Sequence, residues 1–260
     1  FTIEQGTSNN NNQNNNNSAY VAWAWDAGSS TASNTNGSIT SQVRASQTAG
    51  ISILTYTGDG SGTDTIGHGL NTAPSLVITK SRGTTGSWRV FTDVGGTWKI
   101  GNLNNNDAFV NAGVSAPTSS VFSVDGNSNA STTHIAYCFA PVAGYSAIGQ
   151  FNGNGDSGGD GPFVHTGFAV QWLLIKGVDA SNDNWKIFDN TRSPFNVADD
   201  WLATNKSNAE VTSNNNKVDF LSNGFKLRTT GGGDSNLSSK RYIYLAIAEN
   251  PFQANGGLAR

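Results

Sequence analysis

Charge, cysteine and methionine are scarce in this sequence, and each shortage excludes a class of protein or site. Only 13% of the 260 residues are charged, for a net charge of -3, whereas ordinary soluble domains carry roughly 25%. The few Lys and Arg are scattered along the chain, so no basic patch marks a nucleic-acid-binding surface and we expect no nucleic-acid partner. A single Cys forms neither an internal disulfide nor a thiolate metal cage.

Two further absences concern membranes and the ends of the chain. The sequence has no run of about 18 apolar residues, so we expect no membrane insertion. It contains no Met and begins at Phe1, and no basic stretch followed by an apolar stretch marks a signal peptide. The chain therefore does not begin at a translation start. Because its first residues resemble the end of an incomplete repeat, described below, we expect the native polypeptide to be longer, with this chain as its C-terminal part.

What the sequence has instead is an internal repeat of about 100 residues, the size of one small sandwich domain. The matching segments come in the same order in both copies, with conservative exchanges between apolar residues. They are residues 56–60 with 151–155, His68 with His165, Lys80 with Lys176, Trp88 with Trp185, 121–124 with 224–227, and 135–140 with 243–248.

Each copy carries the signals of strands. Apolar runs at residues 76–78 and 173–175 are followed by turn residues and then by an alternating segment that begins with Trp. Short strands joined by turns rich in Gly, Asn and Ser indicate a sandwich. We predict an all-β fold of tandem antiparallel β-sandwich repeats, jelly-roll-like, with about six to eight strands each. The only helical candidates are short, at residues 104–109 and 198–203.

The repeat also predicts how the chain is divided. Residues 1–3 and 21–25 resemble the last two strands of the complete copies, so an incomplete repeat is expected at the start. Its Asn tract is then an exposed hairpin loop, although alone it would indicate a disordered linker. Residues 27–49 contain too few apolar side chains to offset ordering entropy, which predicts a linker. The predicted segments are 1–28 (terminal strands of the incomplete repeat), 29–49 (linker), 50–142 (first sandwich), 143–252 (second sandwich) and 253–260 (C-terminal tail).

One motif resembles a catalytic site but is better explained as a turn. Residues 155–159, GDSGG, resemble the stretch around the nucleophile of chymotrypsin-like proteases, whose chemistry also needs a His base and a buried Asp. His134 is too near in sequence to supply that base, and the surroundings of His68 do not resemble the protease His motif. The first copy has GDGSG at 58–62 in the same place, which indicates a Gly-rich turn. We predict no catalytic residues.

The same two loops hold weak candidates for calcium ligands. Asp59 and Asp64 lie in the first loop, and Asp156 and Asp160 in the second. Their oxygens suit a hard cation, but the spacing is not that of an EF-hand and no Glu is near for bidentate closure. Because Asp is also a good turn former, solvated carboxylates without a metal or other cofactor are the expectation, with calcium as the alternative.

Other polar and small residues receive structural interpretations. His68 and His165 have no accompanying ligand cluster, so a hydrogen-bonding role at a strand start is favoured. Cys138 aligns with Ala246, which indicates a small buried residue. Asp199 and Asp200 are adjacent and would point to opposite faces of a strand, so they do not form the carboxylate pair of a glycosidase.

Trp98 and Trp201 are the candidate contact residues. Both lie in polar, loop-rich surroundings, about 100 residues apart. An exposed Trp flanked by Asn, Asp and Thr can stack on a sugar ring while the amides bind its hydroxyls. A partner subunit could bury the same ring instead. The sequence leaves glycan contact and partner contact open at both positions.

A family resemblance rests on residues in both copies. In the first they are His68-Gly69-Leu70, Ala73-Pro74, Leu76-Val77-Ile78 and Lys80; in the second, Gly167-Phe168, Trp172-Leu173-Leu174-Ile175-Lys176, Trp185 and the stretch YIYLAIAENPF at 242–252. From about Gly50 to Phe252 the chain resembles the β-rich repeats of virion structural proteins of marine tailed phages, found in fibre, appendage and capsid-surface proteins.

The resemblance implies a non-enzymatic protein on the virion surface, outside the cell: a fibre, a decoration protein or a host-adsorption module. Such proteins are usually oligomeric, and their implied partners are copies of the same chain, other virion proteins and host surface glycans. The family implies no catalytic residues. The alternatives are a secreted bacterial lectin or adhesin that uses loop Trp and Asp, and a capsule depolymerase, which needs two carboxylates in one cleft.

Overall fold

The computed structural model describes residues 18–212, 215–231 and 233–250, and this part of the chain is entirely β, without helices. It confirms the predicted all-β fold of antiparallel β-sandwich character. The two short helical candidates are wrong, because residues 104–109 and 198–203 form turns and isolated bridges. The strands are β1 (Ala32–Asn34), β2 (Ser41–Ser46), β3 (Ile51–Thr57), β4 (Asp64–Gly67), β5 (Leu76–Ser81), β6 (Arg89–Val94), β7 (Thr97–Asn102), β8 (Val110–Asn111), β9 (Val121–Val124), β10 (Thr133–Phe139), β11 (Ser146–Asn152), β12 (Phe163–His165), β13 (Val170–Gly177), β14 (Lys186–Asp189), β15 (Val218–Leu221), β16 (Gly224–Leu227) and β17 (Arg241–Ala248).

The strands form two sandwiches, each with one large and one small sheet. In the first sandwich the large sheet has the order β1-β2-β3-β10-β5-β6-β7-β8 and the small sheet pairs β4 with β9. In the second sandwich the large sheet is β11-β17-β13-β14 and the small sheet is β12-β16-β15. The central order β3-β10-β5-β6 therefore recurs as β11-β17-β13-β14.

The register recurs with the order. Ile135 in β10 lies opposite Thr55 and Lys80, and Ile243 in β17 lies opposite Gln150 and Lys176. These are the pairs that the aligned closing segments predict. The two sandwiches thus share topology and register, while the duplication of an ancestral sequence stays a prediction.

The two sandwiches are joined face to face through their large sheets. In the first sandwich Val77 faces the core under the small sheet, and its neighbour Leu76 faces a core shared with the second sandwich. In the second, Leu173 faces the local core and Leu174 the shared one. Since both faces of these sheets are buried, their central strands read as continuous apolar runs. The result is four layers with three apolar cores, and not two independent domains joined by a linker.

The predicted linker at residues 29–49 is wrong, because β1 and β2 lie there and extend the first large sheet. Val43 in β2 is buried opposite Leu54, while its neighbours Gln42 and Arg44 are exposed. The Ser41 hydroxyl donates to the Gly67 carbonyl at 2.7 Å. A strand near a sheet edge needs apolar side chains on one face only, so a composition typical of linkers is enough. The first sandwich therefore has ten strands, more than predicted.

The predicted terminal strands of an incomplete repeat are not observed where the chain is described. Residues 18–28 form no strand. Trp23 and Trp25 are half-buried and pack edge-on against Trp172, with ring centroids 6.2 and 5.5 Å away. Residues 1–3 and the Asn tract lie outside the described residues, as does the predicted C-terminal tail.

Candidate functional site

The two candidate contact tryptophans are buried, which contradicts their interpretation as exposed sugar platforms. Trp98 is 9% exposed and packs in the local core of the first sandwich, and Trp201 is 6% exposed in that of the second. The Lys186 ammonium lies 5.8 Å from the Trp201 ring centroid. Neither ring presents a face on which a sugar or a partner could stack.

Trp98 and Trp201 are also not equivalent. Trp201 pairs with Val211 as Ile100 pairs with Val110, so Trp201 corresponds to Ile100, two residues beyond Trp98. Trp98 and Ile100 lie on the same face of β7 because side chains alternate along a strand. The apolar alternation at 98 and 100 was the signal for burial, and the polar neighbours concealed it.

The Asp residues of the first loop lie close together and are satisfied by protein donors. Asp59 accepts hydrogen bonds from the Ser61 amide at 2.8 Å and from Asn129 Nδ2 at 2.9 Å. The same Asn129 nitrogen donates to Asp64 at 2.8 Å. These bonds, the Ser61 amide first, hold the pKa of Asp59 below its usual value. The loop is closed by a buried amide that binds both carboxylates.

The Asp residues of the second loop are also engaged. The Asp156 carboxylate accepts from the amides of Gly158 and Asp160 at 2.9 and 2.7 Å, as a turn-forming Asp does. Asp160 pairs with Lys226 at 2.6 Å, and this contact lowers the pKa of Asp160. Within the described residues no three His, Cys, Asp or Glu side chains gather closely enough to hold a metal ion. Calcium binding by either loop stays a prediction.

The positions of the two histidines are offset by one residue, so His68 and His165 are not equivalent. Gly67, next to His68, lies opposite Val121, and His165 lies opposite Gly224, the counterpart of Val121. His68 therefore corresponds to Thr166. His68 is fully buried; its Nδ1 accepts from the Leu70 amide and its Nε2 lies 3.1 Å from the Thr118 carbonyl. Burial lowers its pKa, and its role is structural, whereas His165 is exposed.

The protease-like motif has the geometry of a turn. Ser157 is exposed, in a loop where Gly155 donates to the Asn236 carbonyl at 3.0 Å. Gly60 donates in the same way to Asn129 in the first sandwich, at 2.8 Å. Cys138 is fully buried, and burial raises the pKa of its thiol to about 12. Neither side chain is arranged as a nucleophile.

A polar cavity of about 260 Å³ opens beside the β5–β6 connection of the first sandwich. No Asp or Glu lines it. Arg89 and His134 are the lining residues with ring or guanidinium nitrogens, and the others are mostly hydroxyl-bearing: Thr79, Ser81, Thr84, Thr85, Ser87 and Ser128. We refer to it as the polar cavity.

Two nitrogens of the polar cavity residues have no hydrogen-bond partner. Arg89 forms an ion pair with Asp125 through Nη2, but its Nε is buried and unpaired. His134 is 1% exposed; its Nε2 lies 3.0 Å from the Ala130 carbonyl, and its Nδ1 is unpaired. Buried unpaired polar atoms are uncommon and call for an explanation. No sequence signal marks this site, since neither residue belongs to a motif.

A second concave region is apolar. It measures about 320 Å³, lies between the two large sheets and contains four Trp rings, Trp23, Trp25, Trp88 and Trp172. Its hydroxyl-bearing lining residues are Tyr137 and Thr204, and the Thr204 hydroxyl is already bonded to the Leu103 carbonyl at 2.8 Å. Most of its lining residues belong to the cluster that the two sandwiches share, so the region extends the shared core.

Comparison with known proteins places this geometry in a family. A family profile described as a domain of unknown function (DUF7483) matches residues 1–251. The chain belongs to the DUF7483 family. The matched range covers both sandwiches, so the family unit is the pair. No curated protein and no solved structure matches the chain. In the described part of the chain, no helix is long and apolar enough to cross a membrane.

Proposed function

We propose that this chain is a non-enzymatic structural protein of a virion surface, serving as a fibre, decoration or host-adsorption module. The observation that supports it is the four-layer body: three cores fix two sandwiches as one unit. In the described residues the candidate nucleophiles and carboxylates are buried, exposed singly or tied into turns. A protein built in this way offers surfaces and rigidity rather than a reaction centre.

The family resemblance in the sequence supports the same proposal. It points to a location on the virion surface, outside the cell, and to oligomers whose partners are copies of the chain and other virion proteins. Surfaces poor in charge and rich in Asn, Ser, Thr and Gly suit close packing between subunits. Host surface glycans are the third class of proposed partner.

The test is to locate the protein in intact particles. Mass spectrometry of gradient-purified virions from a producing culture should detect the chain in stoichiometric amounts, and gold-labelled antibodies should bind particle surfaces. Detection only in the particle-free medium would overturn the virion assignment. Release of reducing sugar from host polysaccharide by the purified chain would overturn its non-enzymatic character.

A secreted carbohydrate-binding lectin or adhesin is the second candidate. The polar cavity favours it, because hydroxyl groups and the Arg89 side chain surround a space large enough for one small polar molecule. A glycan array with and without a chelator separates the candidates, since pure scaffolding predicts no binding in either condition. Binding that the chelator abolishes would also identify calcium as a cofactor. A depolymerase has no support in this cavity, which lacks the two carboxylates that glycoside hydrolysis needs.

A further inference from the structure

The second sandwich shows what fills the position of the polar cavity when it is closed. Arg89 lies opposite Thr79 in β5, and Lys186 lies opposite Ile175 at the same place in β13, so these cations are equivalent. Lys186 is 1% exposed and pairs with Asp183 at 2.9 Å and with Asp234 at 2.7 Å. In the second sandwich the buried Lys186 is therefore held by two carboxylates, which also lie near the buried Lys176.

The first sandwich lacks both of these carboxylates. Asp183 stands two residues before Trp185, and the residue two before Trp88 is Gly86. Both Trp amides donate to an Asn side chain, Asn104 at 2.9 Å and Asn205 at 3.1 Å, which fixes this alignment. A Cβ on Gly86 would meet no atom within 4 Å, so the space that Asp183 fills is open.

The second acidic partner is also replaced. Asn129 and Asn236 accept equivalent loop hydrogen bonds, so Asp234 corresponds to Asn127, a neutral residue that lines the polar cavity. Arg89 keeps a single carboxylate, Asp125, and its Nε is left without a partner. One further carboxylate would give Arg89 two acidic partners, the number that Lys186 has in the second sandwich. A planar carboxylate also suits the guanidinium fork.

The other residues that line the polar cavity can form hydrogen bonds with the hydroxyl groups of a ligand. The His134 ring lies in the wall of the polar cavity, with Nε2 3.0 Å from the Ala130 carbonyl and Nδ1 buried. The hydroxyls of Thr84, Thr85 and Ser87 line the same space and can both donate and accept. Its volume is below the roughly 300–1,000 Å³ of pockets for drug-sized ligands, which fits one sugar ring.

We propose that the polar cavity of the first sandwich binds a small hydroxylated carboxylate of the uronic-acid class, with the carboxylate against Arg89 and the hydroxyls against Thr84, Thr85 and Ser87. The Asp183 side chain of the second sandwich is the built-in counterpart of that ligand carboxylate. This proposal rests on the carbohydrate-binding candidate and not on the virion assignment.

The test is calorimetric titration of the full chain with D-glucuronate and D-galacturonate, with D-glucose and D-galactose as neutral counterparts. Uronates should bind saturably, and the neutral sugars at least tenfold more weakly. Arg89→Gln should weaken uronate binding at least tenfold, whereas Arg44→Gln, which removes an exposed charge on β2, should leave it unchanged.

Gly86→Asp is the sharper variant, because it adds the carboxylate that the second sandwich has. Gly86 does not have a positive φ, so the loop can accept a side chain there. The variant should fold and lose uronate binding, with Gly86→Asn as the uncharged control that keeps more of it. NMR shifts of the backbone amides of Thr84, Thr85 and Ser87 on adding uronate to the native chain would place the ligand independently of any variant.

Each other outcome contradicts the proposal at a defined point. Equal binding of uronates and neutral sugars would overturn the acidic class but leave the carbohydrate-binding candidate standing. Binding of inorganic phosphate or sulfate in place of uronate would make the site a general anion site. No saturable binding of any sugar at millimolar concentration would overturn both the proposal and the lectin candidate.

Discussion

At equivalent positions in the two sandwiches, different side chains pack in the same geometry. Tyr56 stacks on His134 with centroids 5.1 Å apart and planes 11° apart, and Phe151 stacks on Tyr242 with the same two values. The stacked geometry is the same in both pairs. In the first pair both rings carry polar atoms, whereas in the second pair only Tyr242 does. Tyr56 donates its hydroxyl to the Ser128 carbonyl, and Tyr242 to the Asp234 carbonyl, both at 2.6 Å. At the scale of residues, the shape of the stacked pair is preserved between the sandwiches while its polarity varies.

Cys138 should be unreactive in the folded protein. Because burial raises the pKa of its thiol to about 12, almost no thiolate exists at neutral pH, and the thiolate is the nucleophile. A thiol reagent such as DTNB at pH 8 should label less than a tenth of the native protein within an hour, and one thiol per chain in denaturant. Rapid stoichiometric labelling of the native chain would show that Cys138 is accessible, contrary to the structure.

Lys176 should make the protein more stable as pH rises above 8. Burial lowers the pKa of this lysine to about 8, against 10.5 when unfolded. Between these values the unfolded chain binds a proton that the native chain does not, so the unfolding free energy rises with pH. The gain should be about 1 kcal/mol between pH 8 and 9.

Urea denaturation of the native chain and of Lys176→Met at pH 7, 8 and 9 measures this effect. Comparing the two proteins removes the contribution of the buried tyrosines, whose unfolded forms titrate near the upper end of the range. The unfolding free energy of the native chain should rise more steeply with pH than that of the variant. Parallel curves would mean that Lys176 is charged in the fold across this range.

At the scale of elements, the sequence predicted the closing strands in their correct register. Residues 135–140 and 243–248 are long apolar segments at the centre of each large sheet, where both faces are buried. A shift by one residue would exchange every side chain between the two cores, so the register is strongly fixed. The match of His68 with His165 was off by one, because an isolated polar residue carries no such constraint.

The parts that the sequence missed depend on contacts made at sheet edges and ends. The strands β1 and β2 contain one well-buried apolar side chain between them, Val43, so composition alone indicated a linker. The polar cavity depends on Gly86, and the absence of a side chain leaves no local signal. Only the second sandwich, where Asp183 fills the equivalent space, shows that something is missing.

Substitution in β2 tests whether residues 29–49 belong to the fold. Val43→Ser should lower the unfolding free energy by about 1–3 kcal/mol, because it removes buried apolar surface and buries a hydroxyl. Gln42→Ser, on the exposed face of the same strand, should change it by less than about 0.5 kcal/mol. Chemical denaturation measures both. Equal small effects would restore the linker interpretation.

At the scale of the whole molecule, the shared core makes the pair of sandwiches the natural unit. Leu174, Trp185 and Leu245 of the second sandwich lie in one cluster with Leu76 and Val90 of the first. Separating the sandwiches would expose two apolar sheet faces, which monomeric proteins avoid. The family match agrees, since it spans residues 1–251 and not one sandwich.

The last prediction follows from that shared core: the two sandwiches should unfold together. Val77→Ala in the first sandwich and Leu173→Ala in the second remove equivalent side chains from separate local cores. Leu173→Ala should cost about 2–5 kcal/mol, and Val77→Ala less because it removes one carbon atom fewer. Hydrogen exchange of the amides in β5 and β13 reports on each sandwich separately. Either variant should lower the protection of the most stable amides in both strands by the same amount. Loss of protection confined to the substituted sandwich would mean that the shared core does not couple them, and that each folds as a separate domain.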